Sequence, residues 1–229
     1  MDRNIDQVGG GGSAPKARAR RGPLVADGPK IFLVRHGRTS LNAAGVLRGR
    51  LDPELDVTGL IEAMAVGDTI GHSGLSLVVA SPLQRALDTA AQIAVRADVG
   101  VEVDDRLIDR DYGPWAGRPK ADLVARWGSL EGAPDIEGSD AVLARALQAF
   151  FSAAERIGSG TAALVTHDAV LQVVLPALDE GLDQGQPLAQ ATGCFNVVEG
   201  HGDTWRVTGV NVIPSQSRRN SPVKDSEVW

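Results

Sequence analysis

The chain has 229 residues, of which 43% are hydrophobic and 23% are charged, a composition typical of a globular protein with one sizeable core. The formal net charge of −6 argues against nucleic acid or a membrane surface as a partner, because both favour an excess of basic residues. The single cysteine, Cys194, excludes an intrachain disulfide framework or a cysteine-rich zinc site. It also favours a reducing compartment, and we expect a cytoplasmic protein.

Composition divides the chain into three parts. Residues 1–29 contain GGGG and KARARRG with few large apolar side chains, which predicts a disordered Gly/Arg-rich arm. Residues 214–229 predict a second disordered tail, and one domain remains over residues 30–213. The basic N-terminal residues lack the apolar stretch of a secretory signal, and no apolar run approaches the ~20 residues of a membrane span. We therefore expect no membrane association.

The domain alternates strand and helix patterns. In chain order, strands are predicted at 31–34 (IFLV), 75–80 (LSLVVA), 101–103 (VEV) and 161–166 (TAALVT), and a closing hairpin at 194–212 with its turn at 200–203. Helices are predicted at 57–70 and 169–178. Another is predicted to begin with an N-cap at Ser81 and Pro82 at its first position, and another to run from a cap at Ser139 to an end at 158–160. This alternation favours a three-layer α/β/α sandwich around a mainly parallel sheet, with a ligand crevice beyond the carboxyl ends of the strands.

Basic and imidazole side chains follow three of these strands. IFLV runs into Arg35 and His36, LSLVVA is followed by Arg85, and TAALVT runs into His167 and Asp168. Parallel neighbouring strands would bring these residues to one rim, where the arginines form a fork-shaped donor array that suits phosphate. A His/His/Asp metal site is the competing interpretation, and two arginines would repel its cation. A structural ion-pair network explains either arginine alone better than it explains the whole group.

Four segments, LVRHGRTSLN, ASPLQRALDTA, LIDRDYGPWAG and LVTHDAV, resemble in order and spacing the motifs of the histidine phosphatase superfamily, which includes the cofactor-dependent phosphoglycerate mutases. The similarity extends from Ile31 to about Asn211. It implies a phosphoglycerate mutase-like fold and a metal-independent enzyme that needs no cofactor and acts on a small phosphorylated metabolite.

The resemblance also implies roles for individual residues. His36 would carry a transient phosphoryl group, and its ring must be neutral, with a carbonyl or similar acceptor fixing the tautomer. Arg35, Arg85 and His167 would hold the phosphoryl oxygens and stabilise the transition-state charge. Gly37 has no Cβ, so we expect its backbone to pass close to the ligand. The residues predicted to contact the phosphate or the substrate are Gly37, Arg38, Thr39, Asn42, Gly49, Arg110, Tyr112 and Lys120.

The proton donor is the point at which the chain departs from the family pattern. Asp109 stands where relatives often have a glutamate, and its side chain is one methylene shorter, so its loop must bring it closer to the reaction. We favour Asp109 because the flanking RDYGPWAG resembles the mutase-type branch. Asp168 is the alternative, because a His-Asp pair is typical of the acid phosphatase and phytase branch, although Asp also suits a helix N-cap. Asp111 is more readily explained as a solvated loop charge.

Three functions remain to be compared. We predict a histidine acid phosphatase that hydrolyses a small, anionic phosphomonoester through a phosphohistidine. Mutase activity is the alternative, because the loop DRDYGPWAGRPK resembles the mutase loop. However, only Arg126 and Trp127 stand where mutases carry paired arginines, and a mutase would need a bisphosphoglycerate primer. An inactive phospho-ligand binder would be expected to lack a core catalytic residue, and all four are present. The sequence also allows a homodimer.

Overall fold

The computed structural model describes residues 28–182, 185–201 and 204–215, so the predicted N-terminal arm and C-terminal tail fall almost wholly outside it. Its strands are β1 (Lys30–Arg35), β2 (Leu75–Ala80), β3 (Val101–Val103), β4 (Thr161–Thr166), β5 (Phe195–His201) and β6 (Thr204–Val212). Its helices are α1 (Ser40–Ala43), α2 (Val57–Ile70), α3 (Gln84–Ala97), α4 (Lys120–Trp127), α5 (Ser139–Ile157) and α6 (Asp168–Leu178). None of these described helices is long and apolar enough to cross a membrane.

The strands form one mixed sheet in the order β3-β2-β4-β1-β5-β6. The strands β3, β2, β4 and β1 are parallel, whereas β5 pairs antiparallel with both β1 and β6. The register places Arg35 at the end of β1 opposite Thr166 at the end of β4. Because β2 also pairs with β4 in parallel, the carboxyl ends of all three central strands meet at one edge of the sheet.

The two faces of the sheet carry separate hydrophobic cores. Successive β1 side chains point to opposite faces, as strand geometry requires. Ile31 and Leu33 pack with apolar residues of α5 and α6, whereas Phe32 and Val34 pack with apolar residues of α2 and α3. This arrangement confirms the predicted three-layer α/β/α sandwich, and the predicted strands and closing hairpin pair are confirmed as well.

The start of α3 differs from the prediction. The sequence placed an N-cap at Ser81, but the helix begins at Gln84 with Leu83 as its N-cap. The reason is that the Ser81 N–H still donates to the Val165 carbonyl at 3.0 Å and continues the sheet ladder beyond β2. The Ser81 hydroxyl is buried and lies 2.7 Å from Nε2 of His167. The Ser-Pro pattern therefore marks part of the site rather than a helix cap.

Two other predicted caps are displaced by one residue. Gly138 is the N-cap of α5, and Ser139 is the first helical residue, with its hydroxyl donating to Glu131 at 2.6 Å. His167 is the N-cap of α6, so Asp168 is the first residue of that helix rather than its cap. The short helices α1 and α4 lie in connections to which the sequence analysis assigned no element.

Candidate active site

The carboxyl edge of the sheet gathers the predicted catalytic side chains. His36 directly follows β1, His167 directly follows β4, and Arg85 lies in the first turn of α3. All three side chains are fully buried. The two imidazole rings have centroids 5.1 Å apart. The arrangement at the strand ends that the sequence predicted is therefore present as a compact cluster.

The ring of His36 has a defined tautomer. Its Nδ1 lies 2.6 Å from the Gly37 carbonyl oxygen, and a carbonyl only accepts, so Nδ1 carries the proton. At the opposite side of the ring, Arg85 Nε donates to His36 Nε2 at 3.2 Å. Burial, together with the charges of Arg85 and Arg35, holds the pKa of His36 well below its usual value. The ring is neutral near pH 7, with its lone pair on Nε2.

Gly37 is required for a different contact from the one expected. A Cβ at this position would lie 2.3 Å from the carbonyl oxygen of Gly59 in α2. The Gly37 N–H donates to the Thr89 hydroxyl at 3.1 Å, which ties the same peptide to α3. The absence of a side chain therefore lets the chain just after β1 pack closely against α2, and the predicted approach of its backbone to a ligand stays a prediction.

The Arg85 guanidinium is held in place by hydrogen bonds to several acceptors. Its two terminal nitrogens donate to the carbonyls of Leu51 at 2.8 Å and Gly49 at 2.9 Å, and to Asp109 at 3.1 Å. Gly49 has a φ of +51°, and a Cβ there would lie 2.9 Å from the Arg110 carbonyl. Gly49, predicted to contact the phosphate, thus contributes a carbonyl that fixes Arg85 in place.

Three buried nitrogen atoms beside His36 lack partners. Among the described residues, Arg35 Nε, Arg48 Nε and His167 Nδ1 have no hydrogen-bond partner. Arg35 also donates to the carbonyl of Gln190. Burial and the nearby charge of Arg85 hold the pKa of His167 well below its usual value, so its ring is neutral. Its Nε2 lies beside the Ser81 hydroxyl. If Nε2 accepts the hydroxyl proton, the ring proton is on Nδ1. Unpaired buried donors are costly, and an anion would satisfy all three.

Arg48 was not predicted from the sequence. It lies in the connection between α1 and α2 and lines the same cavity as Arg35. Burial lowers its pKa, and the carboxylate of Asp109 opposes that effect. Its position adds a third arginine to the predicted pair.

The two candidate proton donors occupy different environments. Asp109 is 2% exposed, and its carboxylate accepts from Arg85 at 3.1 Å and from the Arg110 N–H at 2.9 Å. Its Oδ2 also lies 3.8 Å from His167 Nδ1. Burial raises the pKa of Asp109 above its usual value, although Arg85 works in the opposite direction. Asp168 lines the open cavity and accepts from the Gln172 side chain at 3.1 Å.

Asp111 lies outside this cluster. Its carboxylate is 3.3 Å from Arg50, and both side chains are more than 40% exposed. This placement matches the solvated loop charge that the sequence indicated.

An open cavity of about 420 Å³ lies against this cluster. Of the predicted substrate-contacting residues, Asn42, Arg110, Tyr112 and Lys120 line it. The Arg110 guanidinium is 2.7 Å from Glu131, which also lines the cavity, and it lies 5.9 Å from the Tyr112 ring centroid. Burial raises the pKa of Tyr112, which therefore stays a neutral phenol.

Arg38 and Thr39 are engaged in local structure. The Arg38 guanidinium pairs with Asp56 at 2.8 Å and donates to Thr58 at 2.8 Å, and it does not line the cavity in the described part of the chain. Thr39 is the N-cap of α1 and forms a capping box with Asn42, whose Oδ1 accepts from the Thr39 N–H and hydroxyl. The capping box leaves the Asn42 NH₂ group for the cavity. These polar groups of Arg38 and Thr39 are bonded to other parts of the protein, and their predicted ligand contacts stay predictions.

The described residues contain no group of three or more His, Cys, Asp or Glu side chains placed to hold a metal ion. Metal independence itself stays a prediction, because it concerns activity rather than geometry.

A family model described as "Histidine phosphatase superfamily (branch 1)" matches residues 31–213 of the chain. Among curated proteins, the glucosyl-3-phosphoglycerate phosphatase of Mycobacterium tuberculosis is 35% identical over 96 residues, which is 42% of this chain and 43% of that protein. The matched segment therefore spans less than half of the length of this relative.

Similar solved structures cover far more of the fold. A mycobacterial glucosyl-3-phosphoglycerate phosphatase complexed with VO3 is 28% identical with a TM-score of 0.70, covering 80% of this chain and 98% of the other. A phosphoglycerate mutase from Bacillus anthracis has a TM-score of 0.73 at 18% identity, covering 82% of this chain and 96% of the other. The second likeness concerns the fold alone.

Proposed function

This chain belongs to branch 1 of the histidine phosphatase superfamily, and we propose that it is a phosphatase that cleaves a small, anionic phosphomonoester through a phosphohistidine on His36. One observation carries the proposal: the neutral ring of His36 lies beside buried donor atoms of Arg35, Arg48 and His167 that lack partners among the described residues. A phosphoryl group brings the acceptor oxygens that these donors need.

The first half-reaction transfers the phosphoryl group to the protein. Nε2 of His36 attacks phosphorus, and the P–O bond to the alcohol breaks with its electron pair passing to the oxygen. Asp109 in its protonated form, which burial favours by raising its pKa, donates its proton to that oxygen, so the alcohol leaves neutral. Arg35, Arg48 and His167 donate to the phosphoryl oxygens and stabilise the charge of the transition state.

The second half-reaction regenerates the enzyme. The Asp109 carboxylate takes a proton from a water molecule as that water attacks phosphorus, and the N–P bond to His36 breaks to release inorganic phosphate. Arg85 Nε lies 3.2 Å from His36 Nε2, close enough to donate to an oxygen of a phosphoryl group carried by that nitrogen. The proton that Asp109 gives to the alcohol in the first half-reaction is replaced by the proton that it takes from water in the second.

The cavity favours a substrate with a second anionic group. Lys120 lines it as a cation that the phosphoryl group does not use, whereas the charge of Arg110 is already balanced by Glu131. The similar mycobacterial protein is named for glucosyl-3-phosphoglycerate, a phosphomonoester that also carries a carboxylate. We accordingly infer a small phosphorylated metabolite of this charge type as the partner.

The proposal is tested by measuring phosphate release from 4-nitrophenyl phosphate and from a panel of phosphorylated metabolites, each with and without EDTA. We expect turnover that EDTA leaves unchanged, with saturation at low substrate concentration only for substrates that carry a second anion. Absence of turnover on every phosphomonoester would contradict the phosphatase, and inhibition by EDTA would contradict metal independence. Isomerisation of 3-phosphoglycerate without net phosphate release would favour the mutase.

We expect Arg48→Gln to weaken inhibition by inorganic phosphate by about 10- to 100-fold, because a buried charged hydrogen bond to an anion contributes about 1.5–3 kcal/mol. The matched control is Arg156→Gln, which removes an exposed arginine of α5 paired with Glu102 and should leave inhibition unchanged. Equal phosphate inhibition of wild type and Arg48→Gln would show that Arg48 does not contact the phosphoryl group.

A further inference from the structure

The loop that carries Asp109 is held by an arginine of α5. The Arg145 guanidinium donates to the carbonyls of Arg106 at 2.8 Å, Ile108 at 2.6 Å and Asp109 at 3.3 Å. It also binds both carboxylate oxygens of Glu137, at 2.8 and 3.1 Å. These contacts use all five N–H groups of the guanidinium. Three backbone carbonyls of one short loop are thus fixed by a single side chain.

Glu137 holds the following part of the same loop. Its Oε2 accepts from the Asp111 N–H at 3.0 Å, and its own N–H donates to the Asp111 carbonyl at 2.9 Å. Its carbonyl accepts from Arg110 Nε at 2.6 Å. Burial would raise the pKa of Glu137, but the hydrogen bonds from Arg145 and the Asp111 N–H outweigh it and lower the pKa, so the carboxylate stays ionised. The Arg145–Glu137 pair therefore clamps residues 106–111 from both ends.

This segment has little other regular structure to fix it. The 3₁₀ turn at Asp105–Leu107 includes only its first two residues, and neither a helix nor a strand includes Asp109. The aspartate side chain is short, so its carboxylate reaches Arg85 and faces His167 only if the backbone is close. A misplacement of about 1 Å at a reacting group can cost about 100-fold in rate. The position of the loop is thus a direct determinant of proton transfer.

We propose that Arg145 is a positioning residue that, together with Glu137, places Asp109 for proton transfer to the leaving group. The inference rests on the proposed function and on Asp109 as its acid. It assigns to α5, which otherwise packs against one face of the sheet, a task in the chemical step. Neither side chain lines the cavity in the described part of the chain, so the effect passes through the loop rather than through substrate contact.

The test compares kcat/KM for two substrates with different needs for an acid. An alkyl phosphate has a basic leaving oxygen that must be protonated, whereas the nitrophenolate of 4-nitrophenyl phosphate leaves without a proton. For Arg145→Gln we expect a loss of about 10- to 100-fold on the alkyl phosphate and little change on the aryl phosphate, since general-acid catalysis contributes about 10²- to 10⁴-fold. Arg145→Lys, which keeps the charge but not the fork, should show a smaller loss of the same kind.

Controls separate the inference from the proposed function. Arg156→Gln, on the same helix but paired with Glu102, should leave both substrates unaffected. If Asp109→Asn loses rate selectively on the alkyl phosphate while Arg145→Gln loses equally on both substrates or on neither, the positioning role is wrong and the phosphatase assignment stands. If Asp109→Asn loses rate equally on the alkyl and the aryl phosphate, the roles of Asp109 as the acid and of Arg145 as its positioning residue are both contradicted. Should Arg145→Gln fail to fold, the nearly isosteric Glu137→Gln is expected to show the same selective loss, and an unselective loss there would overturn the inference.

Discussion

We expect His36→Asn to lower kcat by at least about 10⁴-fold, because removal of a covalent nucleophile abolishes the pathway rather than slowing one contact. Asparagine retains similar size and polarity but offers no basic ring nitrogen at the position of Nε2. The measurement is quenching of the enzyme in alkaline denaturant during turnover of a ³²P-labelled substrate. Wild type should yield protein-bound phosphate that is acid-labile and alkali-stable, and the variant should yield none.

The matched control for this change is His72→Asn. His72 is exposed just beyond the end of α2, and its replacement should alter neither turnover nor labelling. Label that persists in His36→Asn, or that maps to another side chain in wild type, would contradict the proposed nucleophile. Binding of inorganic phosphate with neither labelling nor turnover in wild type would instead favour the phospho-ligand binding protein that the sequence left as a third function.

The sequence could predict the residues at the strand ends because their signal is local. A run of apolar strand formers followed by Arg35 and His36 is visible in the six consecutive residues 31–36, and His167 likewise directly follows the apolar run of β4. Parallel pairing then brings such residues together regardless of the conformation of the loops, since the carboxyl ends of parallel strands share one edge of the sheet. The core of the site and the fold follow from the same pattern.

Residues that act over long sequence separations could not be predicted in this way. Arg48 lies in a connection without hydrophobic periodicity, and only the folded structure brings it beside Arg35 and His167. Arg145 occupies an ordinary polar position of an amphipathic helix, and its loop carbonyls lie 36–39 residues earlier in the chain. Ser81 was misassigned because a Ser-Pro pair is a common helix start, whereas here the strand ladder continues through it.

Arg38, one of the predicted ligand contacts, has a structural partner in the fold. Arg38 directly follows the His-Gly pair, so its charge suggested a second anion contact. In the fold it lies beside Asp56, the N-cap of α2, and its guanidinium is used there. A cation next to a catalytic motif can therefore pair with the N-cap residue of a helix. Sequence proximity alone does not distinguish this structural role from contact with a ligand.

For the proton donor, we expect Asp109→Asn to lower kcat/KM for an alkyl phosphate by about 10²- to 10⁴-fold, the usual contribution of a general acid. Asp168→Asn is the matched control, since it makes the same chemical change at the cavity wall, where the carboxylate accepts from Gln172. We expect its effect to be far smaller. The opposite order of losses would transfer the role to Asp168 and leave Asp109 as a structural partner of Arg85.

The pH dependence provides a second measurement of the same assignment. Because burial raises the pKa of Asp109, the carboxyl keeps its proton to a higher pH than an ordinary aspartate and loses it as pH rises through that raised value. The kcat/KM for an alkyl phosphate should therefore be high below this pKa and fall above it. The nucleophile adds no descending limb of its own, since the pKa of His36 is lowered and a rise in pH only favours its neutral ring. Asp109→Asn should remove the descending limb and Asp168→Asn should retain it; a limb that survives in Asp109→Asn would rule out Asp109 as the acid.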